Sequence, residues 1–171
     1  MGKVLIAYYS RKGENYVNGS IKNLKKGNTE IVAEMIADIT GGDLFQIDTV
    51  KTYPADYYQC IEDAKEELRQ QARPQLKQYL DDAGEYDTVF IGYPNWWGTM
   101  PMAVLSFLER CDLGGKTICP FCTNEGSGMG KSESNLKKAC PKADIKKGIS
   151  VHGAEAAASR NAVEKWVKTF L

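Results

Sequence analysis

Lys3-Val4-Leu5-Ile6-Ala7-Tyr8-Tyr9, then Ser10-Arg11-Lys12-Gly13-Glu14-Asn15, and later Lys26-Gly27-Asn28-Thr29-Glu30-Ile31-Val32-Ala33-Glu34-Met35-Ile36-Ala37 form the stretch that decides the fold. The first run is almost unbroken in its apolar character and reads as a strand buried on both faces. A polar, glycine-punctuated loop leads from it into an amphipathic helix. Such a loop brings hydroxyls and backbone N–H groups to a helix N-terminus. Those N–H groups lack an intrahelical partner and the helix dipole is positive there, so the segment reads as an anion site.

The same alternation continues along the chain. Gly41-Gly42 stops the first helix, and residues 43–48 alternate as a strand with one covered face, near a sheet edge. After the Tyr53-Pro54 turn, a polar helical region is predicted from Tyr57 to about Leu80, interrupted by Pro74. Asp87 to Tyr93 is a second central-type strand. Pro101 to Glu109 reads as a helix with proline in its first turn, where a missing N–H costs nothing. Lys116 to Cys122 is a fourth strand, made irregular by Pro120. A short helix over Ser132 to Cys140, a fifth strand over Ile145 to Val151 and an amphipathic helix over Ser159 to Leu171 complete the pattern. Five strands alternating with helices argue for an α/β domain, a parallel sheet with helices on both faces. No repeat, low-complexity tract or linker divides it, so residues 1–171 read as a single domain.

Bulk properties narrow the function. The chain has 171 residues, 43% apolar and 26% charged, enough for one domain with a sizeable core. Lysine plus arginine and aspartate plus glutamate each total 22, so no bulk field favours nucleic acid or a membrane surface. No signal-peptide layout and no long apolar run is present, which predicts a cytoplasmic protein. The five cysteines, an odd number, suit reduced thiols better than disulfides. Asn18-Gly19-Ser20 matches a glycosylation sequon, which carries no meaning in the cytosol.

In an open parallel sheet, ligands bind beyond the carboxyl ends of the strands, where strand order reverses. With order 2-1-3-4-5, the loop after the first strand faces those after the third and fourth. The first loop offers Ser10, Asn28 and Thr29 as donors, with Gly13 and Gly27 letting the backbone approach; it lacks the sequence of a Walker A or a dinucleotide loop. Asn28 or Thr29 could equally serve as an ordinary helix cap. The second loop, Pro94-Asn95-Trp96-Trp97-Gly98-Thr99, places two adjacent tryptophans beside a glycine, a platform for a flat ring. The third, Thr123-Asn124-Glu125-Gly126-Ser127-Gly128, is crowded with donors and acceptors that suit a polar ring edge. Phosphate, flat ring and polar edge together describe a mononucleotide-like ligand.

At Tyr9-Ser10-Arg11-Lys12-Gly13, Gly27-Asn28-Thr29-Glu30, Gly92-Tyr93-Pro94-Asn95-Trp96-Trp97-Gly98-Thr99-Met100-Pro101 and Thr123 to Gly128, the chain resembles the flavodoxins, more closely members with Tyr-Pro-x-Trp-Trp-Gly after the third strand. The resemblance implies a three-layer flavodoxin-like sandwich with a five-stranded parallel sheet of order 2-1-3-4-5, and one non-covalent FMN. It implies phosphate contacts from Ser10, Arg11, Lys12, Asn28 and Thr29. Pro94, Asn95, Trp96, Trp97 and Gly98, with Thr123, Asn124, Glu125, Gly126, Ser127 and Gly128, would enclose the isoalloxazine, a backbone group near Gly98 facing the flavin N5. Two features depart from the family pattern. The phosphate loop is split by Glu14 to Lys26, expected to cover the cofactor or meet a partner, and the chain is neutral where low-potential carriers are acidic.

The implied function is electron transfer through the flavin to a redox partner protein. The alternative is an FMN-dependent reductase that moves hydride from NAD(P)H to a quinone or another small planar acceptor. A third reading is a colourless nucleotide-sensing domain on the same fold. A monomer or weak dimer fits the first two. Cys119 and Cys122 share the spacing of a thiol redox motif, but on a strand they face opposite sides, which argues against paired chemistry. His152 and Glu125 fall at the ligand end of the sheet, and neither residue type decides a role there.

Overall fold

The computed structural model describes residues 2–171. Its central sheet runs β4-β1-β5-β6-β7 and is parallel throughout, with β8 also paired to β6. The strands are β1 (Lys3–Tyr8), β4 (Asp43–Gln46), β5 (Tyr86–Pro94), β6 (Thr117–Asn124), β7 (Asp144–Ile145) and β8 (Ile149–His152). By rank in the sequence this is the expected order 2-1-3-4-5, with the last position shared by two short strands. Helices α1 (Asn28–Thr40), α2 (Tyr57–Gln70), α3 (Met102–Arg110), α4 (Ser132–Ala139) and α5 (Arg160–Lys168) flank it. A separate antiparallel hairpin, β2 (Gly13–Val17) and β3 (Ser20–Leu24), interrupts the connection from β1 to α1.

The strands build two cores because successive side chains point to opposite faces. Val4, Ile6, Tyr8, Phe90, Cys119 and Phe121 pack beneath α1 and α5, with Val32, Ile36, Val163 and Val167. Leu5, Ala7, Val89, Ile91, Tyr93, Ile118 and Cys122 pack beneath α3 and α4, with Val104, Phe107 and Leu136. Sheet plus two helical faces makes a three-layer α/β sandwich. Each large apolar side chain sealed here stabilises the fold by about 1.5–3 kcal/mol relative to exposure. Cys119 and Cys122 lie in different cores, and burial pushes both thiols up to about 12.

Three elements differ from their sequence readings, each for a local reason. The polar helix stops at Gln70, ten residues early, because Gln71 turns left-handed with φ 53° and the Ala72 N–H closes on the Glu67 carbonyl. The Glu14 to Lys26 insertion, to which the sequence assigns no secondary structure, forms the hairpin. Its turn is Asn18-Gly19, with φ 51° and 83°, the left-handed pair that a two-residue hairpin requires. The fifth strand is split by Pro120. The Lys146 N–H donates to the Ile118 carbonyl at 2.8 Å. The next parallel rung would run from the residue-120 N–H back to Lys146, and proline has none. Pairing resumes only at Phe121 with Ile149.

Gly92 lies where the β6 ring of Phe121 crosses β5: a methyl built there would sit 2.1 Å from Phe121 Cζ. Gly92→Ala should therefore lower unfolding free energy by about 1–3 kcal/mol in urea titration, and shortening Phe121 to leucine in the same chain should recover part of that loss.

Candidate functional site

The loops leaving β1, β5 and β6 close around a cavity of about 310 Å³, within the range of small-molecule sites, roughly 300–1,000 Å³. Asn28, Thr29, Glu125 and Gly153 line one part of it. Trp96, Trp97, Tyr16 and Tyr57 line another, with Asn95, Asn124 and Ser127 beside them.

The two halves of the split first loop meet again at Gly27. A methyl on Gly27 would lie 2.1 Å from Ser10 Oγ and 2.6 Å from the Arg11 carbonyl, so glycine is what lets the halves touch. Ser10 then caps α1 from across this junction, its Oγ accepting the Glu30 N–H at 3.1 Å. Neither Asn28 nor Thr29 caps the helix through its own side chain; the N-cap is Gly27. The Asn28 and Thr29 N–H groups have no protein partner among the described residues. Thr29 is buried, and its hydroxyl is 2.7 Å from that of Thr123 at the end of β6. Arg11 lines the cavity but spends its guanidinium on the carbonyls of Glu14, Pro54 and Ala55. Lys12 is exposed and outside the lining, and Ser10 stands just behind it.

The second loop is a tight turn. Trp96 and Thr99 pair across it, with Trp97 at φ 57° and Gly98 at φ 86° between them. A left-handed tryptophan is strained by about 1–3 kcal/mol, the kind of conformation that surroundings must enforce. Here α2 enforces it: Trp97 Nε1 donates to the Ile61 carbonyl at 2.8 Å and Lys65 sits over the indole, 5.0 Å from its centroid. Trp97 stays 46% exposed, half in the cavity and half in solvent. Trp96 turns inward and stacks edge-on against Tyr9 at 5.2 Å and Tyr53 at 5.3 Å. Thus one indole anchors the loop while the other faces the cavity and solvent. The backbone of Gly98 is used internally: its N–H bonds Asn95 Oδ1 and its carbonyl accepts the Lys131 N–H. Gly98 does not line the cavity.

Two asparagines shape the third loop. Asn124 Oδ1 accepts the N–H groups of both Gly126 and Gly128, each at 3.0 Å. Asn95 donates its backbone N–H to the Thr123 carbonyl and its Nδ2 to the Gly128 carbonyl, stitching the second loop to the third. Gly126 and Gly128 supply the left-handed turns and lie outside the lining, whereas Pro94, Asn95, Thr123, Asn124, Glu125 and Ser127 lie on it.

The wall opposite the loops comes from the inserted segment, which the sequence reading expected over the cofactor or at a partner, and from α2 and Gly153, which it did not name there. Asn15 and Tyr16 come from the hairpin; Tyr57, Cys60, Ile61 and Ala64 come from α2; Gly153 follows β8. Tyr16 and Tyr57 meet at 6.1 Å. The signals were present: Asn-Gly is a strong hairpin cue, and Cys60, Ala64 and Leu68 repeat every fourth residue on one face of a helix otherwise rich in charge.

A flavodoxin family model matches residues 3–170 of the chain. Two solved structures described as flavoproteins, from Bacteroides eggerthii and Bacteroides uniformis, are each 31% identical to it. The first covers 99% of this chain and 98% of its own with a TM-score of 0.79, the second 98% of each with 0.77. A Lactobacillus acidophilus flavoprotein solved in complex with FMN shares the fold at 20% identity, covering 92% and 98% with a TM-score of 0.66. No curated protein matches. The chain belongs to the flavodoxin family.

The aromatic cluster behind Trp96 has a measurable signature. Burial holds the Tyr9 and Tyr53 hydroxyls well above the ordinary tyrosine value of 10.0, and for Tyr53 the bond to buried Glu67 at 2.6 Å adds to it. The folded protein keeps these protons where the unfolded chain releases them, so their contribution is complete below pH 10 and declines as pH rises beyond it. Urea midpoints should fall from pH 9 to 11. Tyr53→Phe, which strips Glu67 of a donor, should be about 1–3 kcal/mol less stable at pH 7 yet show a shallower alkaline decline.

Proposed function

We propose that this flavodoxin-family chain, one domain over residues 1–171, binds one FMN non-covalently and passes electrons through it in the cytoplasm. The observation that carries the reading is the cavity itself. It joins a helix N-terminus with two free N–H groups to a half-exposed tryptophan across the point where the sheet reverses its order. The residues present fit the group. The free N–H groups of Asn28 and Thr29 suit a phosphate, with Ser10, Arg11 and Lys12 on the loop around them. Trp97, Tyr57 and Asn95, with the polar loop from Thr123 to Gly128, suit a flat ring with a hydrogen-bonding edge. When bound, FMN supplies the redox chemistry, in steps of one or two electrons. The chain's own part is to hold it, to keep water from one side with Trp96, Cys60 and Ala64, and to leave Trp97 at the mouth. The Tyr93-Pro94-Asn95-Trp96-Trp97-Gly98 sequence supports grouping it with the members that carry paired tryptophans.

Electron carriage to a partner protein is the first reading. Reduction by NAD(P)H with transfer to a quinone-like acceptor is the second, and a specific observation favours keeping it. Tyr16 and Trp97 are both exposed on the cavity lining, with Tyr57 against Tyr16, enough aromatic surface for a second planar molecule.

Purified protein reconstituted with FMN should turn yellow with a bound-flavin spectrum; a colourless product would remove the proposal. Trp97→Ala should weaken FMN by about 1 kcal/mol, roughly fivefold. NADH or NADPH added alone should leave the colour unchanged if the protein is a carrier. Bleaching followed by turnover with a quinone would establish the reductase.

A further inference from the structure

Helix α2 holds the Trp97 indole at two points. The ring N–H at Nε1 donates to the Ile61 carbonyl at 2.8 Å, and the Lys65 ammonium stands over the ring, 5.0 Å from its centroid. Ile61 and Lys65 are four residues apart in α2, so both fall on one face of it. The hydrogen bond fixes the edge of the indole and the cation covers a face. Ile61, Ala64 and Trp97 line the cavity, whereas Lys65 does not. The cation therefore meets the ring from outside the cavity.

Lys65 is not drawn there by an acid. Glu62, three residues before it, is spaced for an ion pair across one helical turn, yet the two make none among the described residues, and Asp63 and Glu66 pair with Lys51 and Arg69 instead. The ammonium goes to an aromatic ring, and to the one whose backbone is left-handed, with φ 57°. A strained conformation persists only where its surroundings enforce it. Trp97 is already 46% exposed, so without its ties the indole would swing toward solvent and leave the cavity wall.

We propose that Lys65 is a positioning residue for the redox group. Acting through Trp97 it keeps the ring wall of the cavity in place, and its charge beside that wall favours the reduced form of the bound ligand. The proposal rests on the FMN reading, since a flavin gains negative charge when it is reduced. Holding the wall acts on the oxidised and reduced forms alike. The charge separates them, because a nearby cation attracts the more negative form more strongly. A chain without net charge thus carries a cation at the one place where it would bear on the electron.

Titrations of the full chain with FMN, by fluorescence for affinity and by redox poise for the midpoint potential, compare three variants. Lys65→Met should weaken oxidised FMN about two- to fivefold, as expected for one cation over an exposed indole, and should shift the midpoint potential to a more negative value. Lys65→Arg, which keeps a cation able to lie over the ring, should restore both. Arg69→Gln removes an equal charge one turn further along α2 and should change neither. Unchanged affinity or an unchanged or more positive potential in Lys65→Met, no rescue by arginine, or an equal effect of Arg69→Gln would each overturn the proposal. A second measurement needs no flavin. In the flavin-free protein labelled with 5-fluorotryptophan, the fluorine resonance that disappears in Trp97→Phe should move in Lys65→Met and return in Lys65→Arg; a resonance that stays in place overturns the positioning. Failure of the unaltered protein to bind FMN would overturn the FMN reading and the charge effect with it, while the fluorine resonance would still decide whether Lys65 holds Trp97.

Discussion

The chain leaves β1 toward one face of the sheet and leaves β5 toward the other, and no connection covers the gap between them. That reversal of winding is the constraint on which the rest depends. It opens a crevice at the carboxyl ends of the central strands, and the sequence must then hold the crevice's walls without filling it. The buried bond between Thr29 and Thr123 does so most directly, tying the first turn of α1 to the end of β6 at 2.7 Å. Asn95 ties the two far loops to each other, and the Tyr9–Tyr53–Trp96 cluster supports them from beneath. The ties are short and local, and each joins residues far apart in sequence. The crevice thus has rigid walls although loops build it.

One strained residue sits where ligand contact is expected. Trp97 could relax if residue 97 were glycine; instead a large side chain occupies a left-handed position and α2 holds it there with one hydrogen bond and one cation. Such an arrangement makes sense as a surface presented outward, because a core residue needs no such enforcement. The hairpin adds Tyr16 to the same rim. The neutral net charge noted in the sequence leaves this aromatic rim, more than any acidic field, as the feature a second molecule would meet.

The sheet order was legible because buried parallel strands are continuous apolar runs, and Val4 to Tyr9 and Val89 to Tyr93 are plain examples. The loop residues stood out by contrast, being polar or aromatic beside such strands. What escaped notice lay in mixed signals. Asn18-Gly19 was passed over as a sequon although its flanks alternate. The buried stripe of α2 includes Cys60 and Ala64, too small to stand out against the charge around them, and Glu67, a residue type that seldom marks a core. Pro120 was visible as an irregularity, but its effect fell on the neighbouring strand, where single-chain reading does not look. Functional roles within the first loop were also beyond reach, since Ser10 and Gly27 meet only in three dimensions.

The interruption at Pro120 has a consequence for how the protein lives among its own copies. An open sheet ends in strands with unpaired backbone groups, and a long, flat one invites another chain to continue it. Here the far edge is broken into pieces of two and four residues with Lys146, Lys147 and Gly148 between them, and the near edge is the four-residue β4. Neither offers a template long enough to seed cross-β growth, and lysines sit at the break. A proline in a central strand, which weakens one ladder, thereby guards against aggregation at the margin.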